Sequence, residues 1–262
     1  SSALGKATRA GRPTNSPAAP QDLAPSAPVI AFLSALWQSG APMQKATHPA
    51  RILFLAANPA LTQPLALAEE IRSIEEKLRS AEHRDAFALV SRWAARPDDL
   101  LQALNELRPT IVHISGHGDH GGGLLLHGVG GTAAPVAPEA VASLFRALRD
   151  DIRVVVFNTC DSLIQAEATA QAIDCVIGMD AEIGDEAARV FAAAFYRALG
   201  FGRSVQAAFD QGRVALELAG IPEDRTPRIL TRPGVLATDV FPLNQPPAAP
   251  QIAVLAARAD QA

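Results

Sequence analysis

The stretch "IRVVVFNTC", residues 152–160, is the strongest strand signal in the chain and decides how the rest is organised. Three consecutive valines without polar alternation are typical of a strand buried on both faces, as in a parallel sheet. Other short apolar runs predict further strands of the same sheet. They are "RILFLAANP" (51–59), "AFALVSRW" (86–93), "TIVHISG" (110–116), "CVIGM" (175–179) and "RILT" (228–231).

Helical patterns separate these strand candidates. The first has four apolar side chains at helical spacing, namely Leu67, Ile71, Ile74 and Leu78. Similar patterns predict helices over 97–107, 138–150, 162–173, 185–199 and 204–219, and a small hairpin is expected over 123–131. This alternation predicts an α/β sandwich of three layers, with a mainly parallel central sheet and helices on both faces.

The composition divides the 262 residues into one domain and two tails. Residues 1–48 and 242–262 are rich in Ala and Pro, a composition that buries too little surface to offset the entropy of ordering. Apolar residues at 29–37 predict one short helix within the first tail. We therefore expect a folded domain over residues 49–241 with a tail or linker on each side.

Charge and cysteine content narrow the class of protein. The net charge of −4 is that of an ordinary soluble protein and disfavours nucleic acid as a direct partner. No apolar run approaches the roughly 20 residues that cross a bilayer, and no signal-like segment is evident, so we expect no membrane contact. Cys160 and Cys175 lie in segments that read as interior, which favours free thiols and a cytoplasmic location.

The loop "SGHGDHGGG", residues 115–123, follows the strand candidate 110–116 and admits three interpretations. It is a flexible hairpin tip with incidental histidines, part of a metal site, or the carrier of a catalytic histidine. The four histidines of this region are His113, His117, His120 and His127.

The metal interpretation is disfavoured because no carboxylate or thiol falls at a familiar ligand spacing. Strand alternation turns His113 to the same side as Ser115, which predicts a packed or hydrogen-bonded histidine. The glycine-rich segments match neither a Walker A loop nor a dinucleotide fingerprint, so nucleotide binding is also disfavoured. We expect no metal and no cofactor.

The polarity of a parallel sheet favours the catalytic interpretation. All of its strands deliver the following loops to one carboxyl edge, where ligand sites form. His117 follows one strand candidate and Cys160 another, and a right-handed crossover through the helix 138–150 makes the two strands neighbours or nearly so. We therefore expect His117 and Cys160 to meet at this edge.

The chemistry expected there is nucleophilic. Cys160 stands at the start of a predicted helix that Asp161 or Ser162 can cap, and the positive helix end predicts a lowered thiol pKa. His117 can take the thiol proton and later give it to a leaving amine. The backbone N–H groups of Gly118 and Cys160 can form an oxyanion hole, since a glycine lets the backbone approach a substrate carbonyl.

The ordered series of motifs resembles the bacterial CHAT domain of the caspase-like cysteine peptidases, clan CD, over about residues 50–220. The most specific part is an apolar strand ending in Ser-Gly-His-Gly, followed by one ending in Asn-Thr-Cys-Asp-Ser. The resemblance implies a caspase-like fold, a His117/Cys160 dyad with Gly118 in the oxyanion pocket, and a protein or peptide substrate. It further implies a regulated bacterial effector module for signalling or defence, switched on by a fused sensor domain or partner protein and weakly active when isolated.

The chain departs from relatives of this type near the nucleophile. The caspase signature Q-A-C-[RQG]-G is absent. Metacaspase-like relatives often carry an acid two residues before the cysteine, where this chain has Asn158, which weakens the expectation of a basic residue before the cleaved bond. Asp185 and Glu182 are the nearby acids that we nominate, with Asn158, for substrate binding.

Two other functional classes stay open at the level of sequence. One is a catalytically silent scaffold or interaction module that keeps the fold and both dyad residues. The other is an α/β domain that binds a small molecule. Cys175 does not distinguish between these classes. It begins an apolar strand and is expected to be a structural thiol.

Overall fold

The computed structural model describes residues 49–60, 62–119 and 121–243. The strands are β1 (Ala50–Ala57), β2 (Phe87–Trp93), β3 (Ile111–Gly118), β4 (Leu124–His127), β5 (Ala133–Val136), β6 (Val154–Asn158), β7 (Cys175–Met179) and β8 (Pro227–Thr231). The helices are α1 (Leu67–Arg79), α2 (Pro97–Leu107), α3 (Pro138–Ala147), α4 (Leu163–Thr169), α5 (Asp185–Gly200) and α6 (Val205–Leu218). The predicted tail 1–48 with its helix 29–37, and residues 244–262 of the second tail, lie outside the described residues.

The central sheet has the strand order β2-β1-β3-β6-β7-β8. Its first five strands are parallel, and β8 pairs antiparallel with β7. The hairpin of β4 and β5 extends the end of β3, with which β4 pairs antiparallel. The neighbours β3 and β6 are thus joined through the crossover that contains α3, as the sequence predicted.

Alternation along the strands builds one core on each face of the sheet. In β1, Ile52 and Phe54 pack into the core shared with α1, α5 and α6, whereas Leu53 and Leu55 pack into the core shared with α2, α3 and α4. Each fully buried side chain of this size stabilises the fold by about 1.5–3 kcal/mol. The expected three-layer sandwich with a mainly parallel sheet is confirmed.

The extents of β3, of the hairpin and of helix α4 differ from the sequence prediction. β3 continues to Gly118 because its last two residues pair with β4, and the second strand of the hairpin, β5, lies beyond the predicted 123–131. Helix α4 is much shorter than the predicted 162–173, since the chain turns after Thr169 to reach β7. Within the described ranges, no helix is long and apolar enough to cross a membrane.

Candidate active site

The register of β3 against β6 carries His117 and Cys160 to equivalent positions. Ser115 pairs with Asn158 at the last rung between these parallel strands. His117 follows Ser115 by two residues, and Cys160 follows Asn158 by two residues. Because neighbouring strands lie about 4.8 Å apart, the two segments leave the sheet side by side. The structure therefore brings the two predicted residues together at the carboxyl edge.

His117 and Cys160 line one pocket at this edge, which we call the edge pocket. Its walls come from the loop after β1 and the start of α1, from the ends of β3 and β6, and from the loop that enters α5. The lining residues are Leu65, Ala66, Leu67, Glu70, Ser115, Gly116, His117, Asn158, Thr159, Cys160, Ile183, Asp185 and Ala188.

The thiol of Cys160 is half-buried against the loop that leads into α5. Its Sγ lies 3.8 Å from the carbonyl oxygen of Ile183. Burial raises the pKa of the Cys160 thiol above its ordinary value, and the carboxylates of Glu182 and Asp161 add to this effect. Backbone hydrogen bonding at Ile183 lowers the pKa, but the net direction is upward. The thiol is therefore protonated at neutral pH.

The prediction of a lowered Cys160 pKa is wrong, because burial of the thiol raises the pKa and the short helix that follows does not offset this effect. Helix α4 begins at Leu163, three residues after Cys160, and it is only seven residues long. The expected caps are also absent. The Ser162 hydroxyl accepts a hydrogen bond from the Met179 N–H at 2.9 Å and lies 2.8 Å from the Thr159 carbonyl oxygen, so it ties the loop to β7 instead. Asp161 adopts a positive φ of 52° and makes no cap.

A backbone carbonyl orients the imidazole of His117. The His117 Nε2 lies 2.8 Å from the carbonyl oxygen of Gln63. Because a carbonyl only accepts hydrogen bonds, Nε2 carries the proton and Nδ1 is the nitrogen that can take one. Sequence analysis did not identify Gln63, since any residue type supplies a backbone carbonyl.

Gly118 approaches the backbone of Cys160 too closely for a side chain. A Cβ at Gly118 would collide with the Cys160 carbonyl oxygen. The Asp119 N–H donates to the Gly123 carbonyl at 2.9 Å, so this residue pair is hydrogen-bonded. By the alternation of antiparallel ladders, the preceding pair of Gly118 and Leu124 is not, and the Gly118 N–H is directed away from β4. The N–H of Cys160 likewise has no backbone partner among the described residues.

Behind His117 and Cys160 lies a buried hydrogen-bond network centred on the carboxylate of Glu70. Three side chains contact this carboxylate: His113 through Nε2 at 2.9 Å, Ser115 through its hydroxyl at 2.5 Å, and Asn158 through Nδ2 at 2.6 Å. His113 also contacts the hydroxyl of Tyr196 through Nδ1 at 3.2 Å, and its ring stacks on Phe54. The prediction of a hydrogen-bonded His113 is confirmed.

Sequence analysis missed Glu70 although the signal was present. Glu70 follows Leu67 by three residues and precedes Ile74 by four, so it lies within the apolar stripe of α1. A carboxylate on such a stripe is directed inward, and Glu70 is only 4% exposed. Together with burial, which has the larger effect, its charge raises the pKa of Tyr196 well above the ordinary value.

The three residues nominated for substrate binding have different surroundings. Asp185 lines the edge pocket at the exposed start of α5, and its Oδ2 accepts from the Ala66 N–H at 3.3 Å. Asn158 also lines the pocket but is buried, and its Nδ2 donates to Glu70 and to the Ala188 carbonyl. Glu182 is exposed and does not line the pocket, although it acts on the pKa of Cys160.

The histidines of the glycine-rich loop do not assemble around one point. His127 accepts a hydrogen bond from the Asn58 N–H at 3.1 Å, whereas His117 contacts the Gln63 carbonyl oxygen. His120 lies outside the described residues. In the part of the chain that the structure describes, no three His, Cys, Asp or Glu residues cluster in a way that could hold a metal ion.

Two solved structures are similar to this chain. One is a secreted C11 cysteine protease from Bacteroides thetaiotaomicron, in complex with an irreversible peptide inhibitor. It matches 70% of this chain and 66% of its own with 13% identity and a TM-score of 0.51, which shows the caspase-like fold. The other is the Arg-specific cysteine proteinase gingipain R, with 13% identity and a TM-score of 0.49 over 71% of this chain and 47% of its own.

Sequence comparison identifies the family. A Roc-COR-CHAT protease from an unknown prokaryotic organism is 27% identical over 181 residues, which are 66% of this chain. This chain spans only 17% of the length of that relative. The CHAT domain model matches residues 26–227, more than half of the chain. The protein therefore belongs to the CHAT domain family.

Proposed function

We propose that the protein is a cysteine endopeptidase in which Cys160 and His117 form the catalytic dyad. The observation that carries this proposal is the register of β3 against β6, which leads both residues into one pocket at the carboxyl edge. Membership of the CHAT family and the likeness to a protease of known structure support the same reaction class.

The proposed reaction begins with proton transfer. His117 Nδ1 takes the thiol proton as Sγ of Cys160 attacks the carbonyl carbon of the peptide, whose oxygen becomes an oxyanion. The N–H groups of Gly118 and Cys160 donate to that oxyanion. The carbonyl then re-forms as the C–N bond breaks, and the imidazolium gives its proton to the leaving amine. Water hydrolyses the remaining thioester, with His117 again as the base.

Gln63 has a positioning role in this scheme. Its carbonyl oxygen, 2.8 Å from His117 Nε2, fixes the ring in the tautomer that leaves Nδ1 unprotonated. It also accepts from the imidazolium that forms during the reaction, so the charge is partly balanced without a carboxylate.

The raised pKa of Cys160 supports regulation of this activity. A protonated thiol against the Ile183 carbonyl is a weakly reactive resting state, and a shift of the loop that enters α5 would free it. We infer that a fused sensor domain or a partner protein causes that shift, as in a bacterial signalling or defence effector acting in the cytoplasm. The much greater length of the Roc-COR-CHAT relative is consistent with such additional parts.

A catalytically silent scaffold is the second candidate, and the same observation favours it. A thiol that stays protonated, with two carboxylates nearby, is also what a domain that does not use its cysteine would tolerate. Under this alternative the carboxyl edge binds a partner segment without cleaving it.

Cleavage of a diverse peptide library, mapped by mass spectrometry, separates the two candidates. Under the peptidase proposal the 262-residue chain slowly yields products that Cys160→Ala and His117→Ala do not, because the resting state is weakly but measurably active. Products that are identical for the wild-type chain and Cys160→Ala would come from a contaminant and would contradict the proposal. Binding of peptides without any Cys160-dependent product would favour the scaffold.

A further inference from the structure

The oxygen that orients His117 lies in the connection from β1 to α1. It is the carbonyl oxygen of Gln63, an exposed residue outside the helices and strands. A backbone atom in an exposed connection keeps a fixed position only where further contacts restrain it. For this connection, the contacts come from Asn58, which follows β1, and from His127, which ends β4.

The side chain of Asn58 binds three groups of the connection. The Thr62 hydroxyl donates its only proton to the Pro59 carbonyl oxygen at 2.7 Å, so towards the Asn58 amide, at 3.1 Å, it accepts. The amide nitrogen of Asn58 therefore faces Thr62, and in this orientation it also donates to the Gln63 carbonyl oxygen at 3.2 Å. The amide oxygen accepts from the Leu65 N–H at 3.2 Å. Every polar atom of the amide is thus paired.

The Gln63 carbonyl oxygen accepts from two side chains. The Nε2 of His117 lies 2.8 Å away and the Nδ2 of Asn58 lies 3.2 Å away. A carbonyl oxygen has two lone pairs, so it can satisfy both donors. The contact with Asn58 therefore restrains the acceptor that selects the tautomer of His117.

The imidazole of His127 restrains Asn58 in turn. Its Nε2 lies 3.1 Å from the Asn58 N–H, and because a backbone N–H only donates, this Nε2 accepts. The backbone of His127 is itself held, since its N–H donates to the Ala95 carbonyl oxygen at 2.9 Å. A second link joins the Ala60 N–H to the Gly131 carbonyl oxygen at 2.8 Å. The hairpin of β4 and β5 thus holds the start of the connection at two points.

The contacts close a ring that begins and ends at His117. Strand β4, which carries His127, pairs with the end of β3 through His117 and Leu125. From His127 the ring continues through Asn58 to the Gln63 carbonyl, which contacts the imidazole of His117. A base supported in this way is held more precisely than one bound to an exposed backbone atom alone.

We propose that Asn58 and His127 are positioning residues for His117. Asn58 acts by holding the Gln63 carbonyl, and His127 acts by holding the backbone of Asn58. This inference rests on the proposed peptidase function. Neither Asn58 nor His127 lines the edge pocket, so both affect the orientation of the base and not the binding of the substrate.

Steady-state kinetics test the role of Asn58, with a fluorogenic peptide chosen from the library products. Asn58→Ala should lower kcat by about tenfold and leave KM within about twofold, because the base is misplaced while the pocket is intact. Thr62→Val is the matched control. It removes another partner of the Asn58 amide without removing the donor to Gln63, so kcat should stay within about twofold. A folded Asn58→Ala chain with the kcat of the control, or with a changed KM alone, would overturn the assignment.

Two substitutions of His127 separate hydrogen bonding from packing. In His127→Gln the side-chain oxygen can replace Nε2 as the acceptor for the Asn58 N–H, whereas His127→Leu offers no acceptor. We expect kcat to stay within about threefold of the wild-type value in His127→Gln and to decrease by about tenfold in His127→Leu. Thermal unfolding of both variants shows that they are folded. Equal kcat values in the two folded variants would contradict the role of His127.

Nuclear magnetic resonance reads the His117 tautomer without any cleavage. The histidine rings of a Cys160→Ala chain are labelled with nitrogen-15, and the signals of His117 are assigned by their loss on adding His117→Ala. Asn58→Ala should lower the ratio of the Nε2–H to the Nδ1–H tautomer by about threefold, the effect of weakening one hydrogen bond. Thr62→Val should leave it unchanged.

This measurement separates failure of the inference from failure of the peptidase proposal. An unchanged tautomer ratio in Asn58→Ala overturns the inference, even if the wild-type chain cleaves peptides. A lowered ratio in a chain whose wild-type form cleaves no peptide supports the positioning of His117 and counts against the peptidase function.

Discussion

The two edges of the parallel sheet each carry one of the two described cysteines, in opposite chemical settings. Cys160 follows β6 at the carboxyl edge, where the chain opens into a pocket. Cys175 begins β7 at the amino edge and is completely buried. Burial and the neighbouring Asp174 raise the pKa of Cys175 to about 12. Whether a cysteine of this sheet can take part in a reaction therefore depends on the end of the strand at which it lies.

The acids at the two edges differ in the same way. At the amino edge, buried Asp174 is paired with Arg153 at 2.6 Å and with Arg232 at 2.8 Å. At the carboxyl edge, Glu70 is instead contacted by His113 at 2.9 Å, by Ser115 and by Asn158. The amino edge thus holds its acid with arginines, whereas the carboxyl edge holds its buried acid in a network next to the pocket.

The largest expected effect concerns activity. Cys160→Ala should remove all peptide cleavage by the chain, because no other nucleophile of the edge pocket has a base of this kind beside it. Cys175→Ala should keep activity within about twofold and cost about 1–2 kcal/mol of stability through the small cavity it leaves. Cleavage of the peptide library and chemical denaturation would measure both. A Cys175→Ala chain that folds but is inactive would contradict the comparison.

Alkylation by iodoacetamide should distinguish the two thiols directly. Cys160 is partly exposed, whereas Cys175 is buried and has a pKa raised to about 12, so at neutral pH Cys160 should react at least about 100-fold faster. Because the pKa of Cys160 is itself raised, its rate should continue to increase with pH above neutrality, about tenfold per pH unit until the thiol ionises. Peptide mapping by mass spectrometry gives both rates. A rate at Cys160 that is flat above pH 7 would show an ionised thiol and contradict the raised pKa.

Gly118 allows a test of the proposed oxyanion hole at the carboxyl edge. Gly118→Ala introduces a Cβ that collides with the Cys160 carbonyl oxygen, so the loop must move away. We expect kcat to decrease by about 100-fold through loss of an oxyanion donor. Gly121→Ala is the matched control, since its Cβ would meet only the Asp119 side chain at 3.3 Å. Equal activities of the two folded variants would argue against Gly118 in the oxyanion hole.

Strand polarity explains why so much of this edge could be predicted from the sequence. The consecutive valines of β6 predict a parallel strand. In a parallel sheet the loop after each strand lies at the carboxyl edge, so Cys160 is expected at that edge. The same reasoning applied to β3 placed His117 beside it. Residue types show which strands are buried on both faces, so the order of layers and the main strands could be predicted directly.

The features that escaped prediction depend on atoms that residue type does not specify. The Gln63 carbonyl that orients His117 belongs to the backbone. The Ser162 hydroxyl bonds to β7 instead of capping helix α4, a tertiary contact that overrides the local capping signal. The raised pKa of Cys160 follows mainly from burial of its thiol, which the local motif does not specify. Glu70 was visible as an acid on an apolar stripe, but its partners lie 43, 45 and 88 residues away along the chain.

The smallest expected effect concerns the charge beside Cys160. Glu182→Gln removes a carboxylate that raises the pKa of the thiol, so the pKa should fall and more thiolate should be present at neutral pH. Because Glu182 is exposed and its field is screened, we expect the alkylation rate of Cys160 at pH 7.5 to increase only about two- to threefold. The increase should diminish in high salt, where the carboxylate is screened more strongly.

Glu186→Gln controls for the change in net charge, since Glu186 lies in the first turn of α5 and does not act on the Cys160 pKa. Above the thiol pKa the rates of Glu182→Gln and the wild-type chain should converge, because both thiols are then ionised. A rate difference that persists there would mean that the substitution alters access to Sγ and not its ionisation. A decrease in the alkylation rate at pH 7.5 would contradict the prediction. It would mean that Glu182 favours the reactive state of the Cys160 thiol, in contrast to Asp174, which lies beside the unreactive thiol of Cys175.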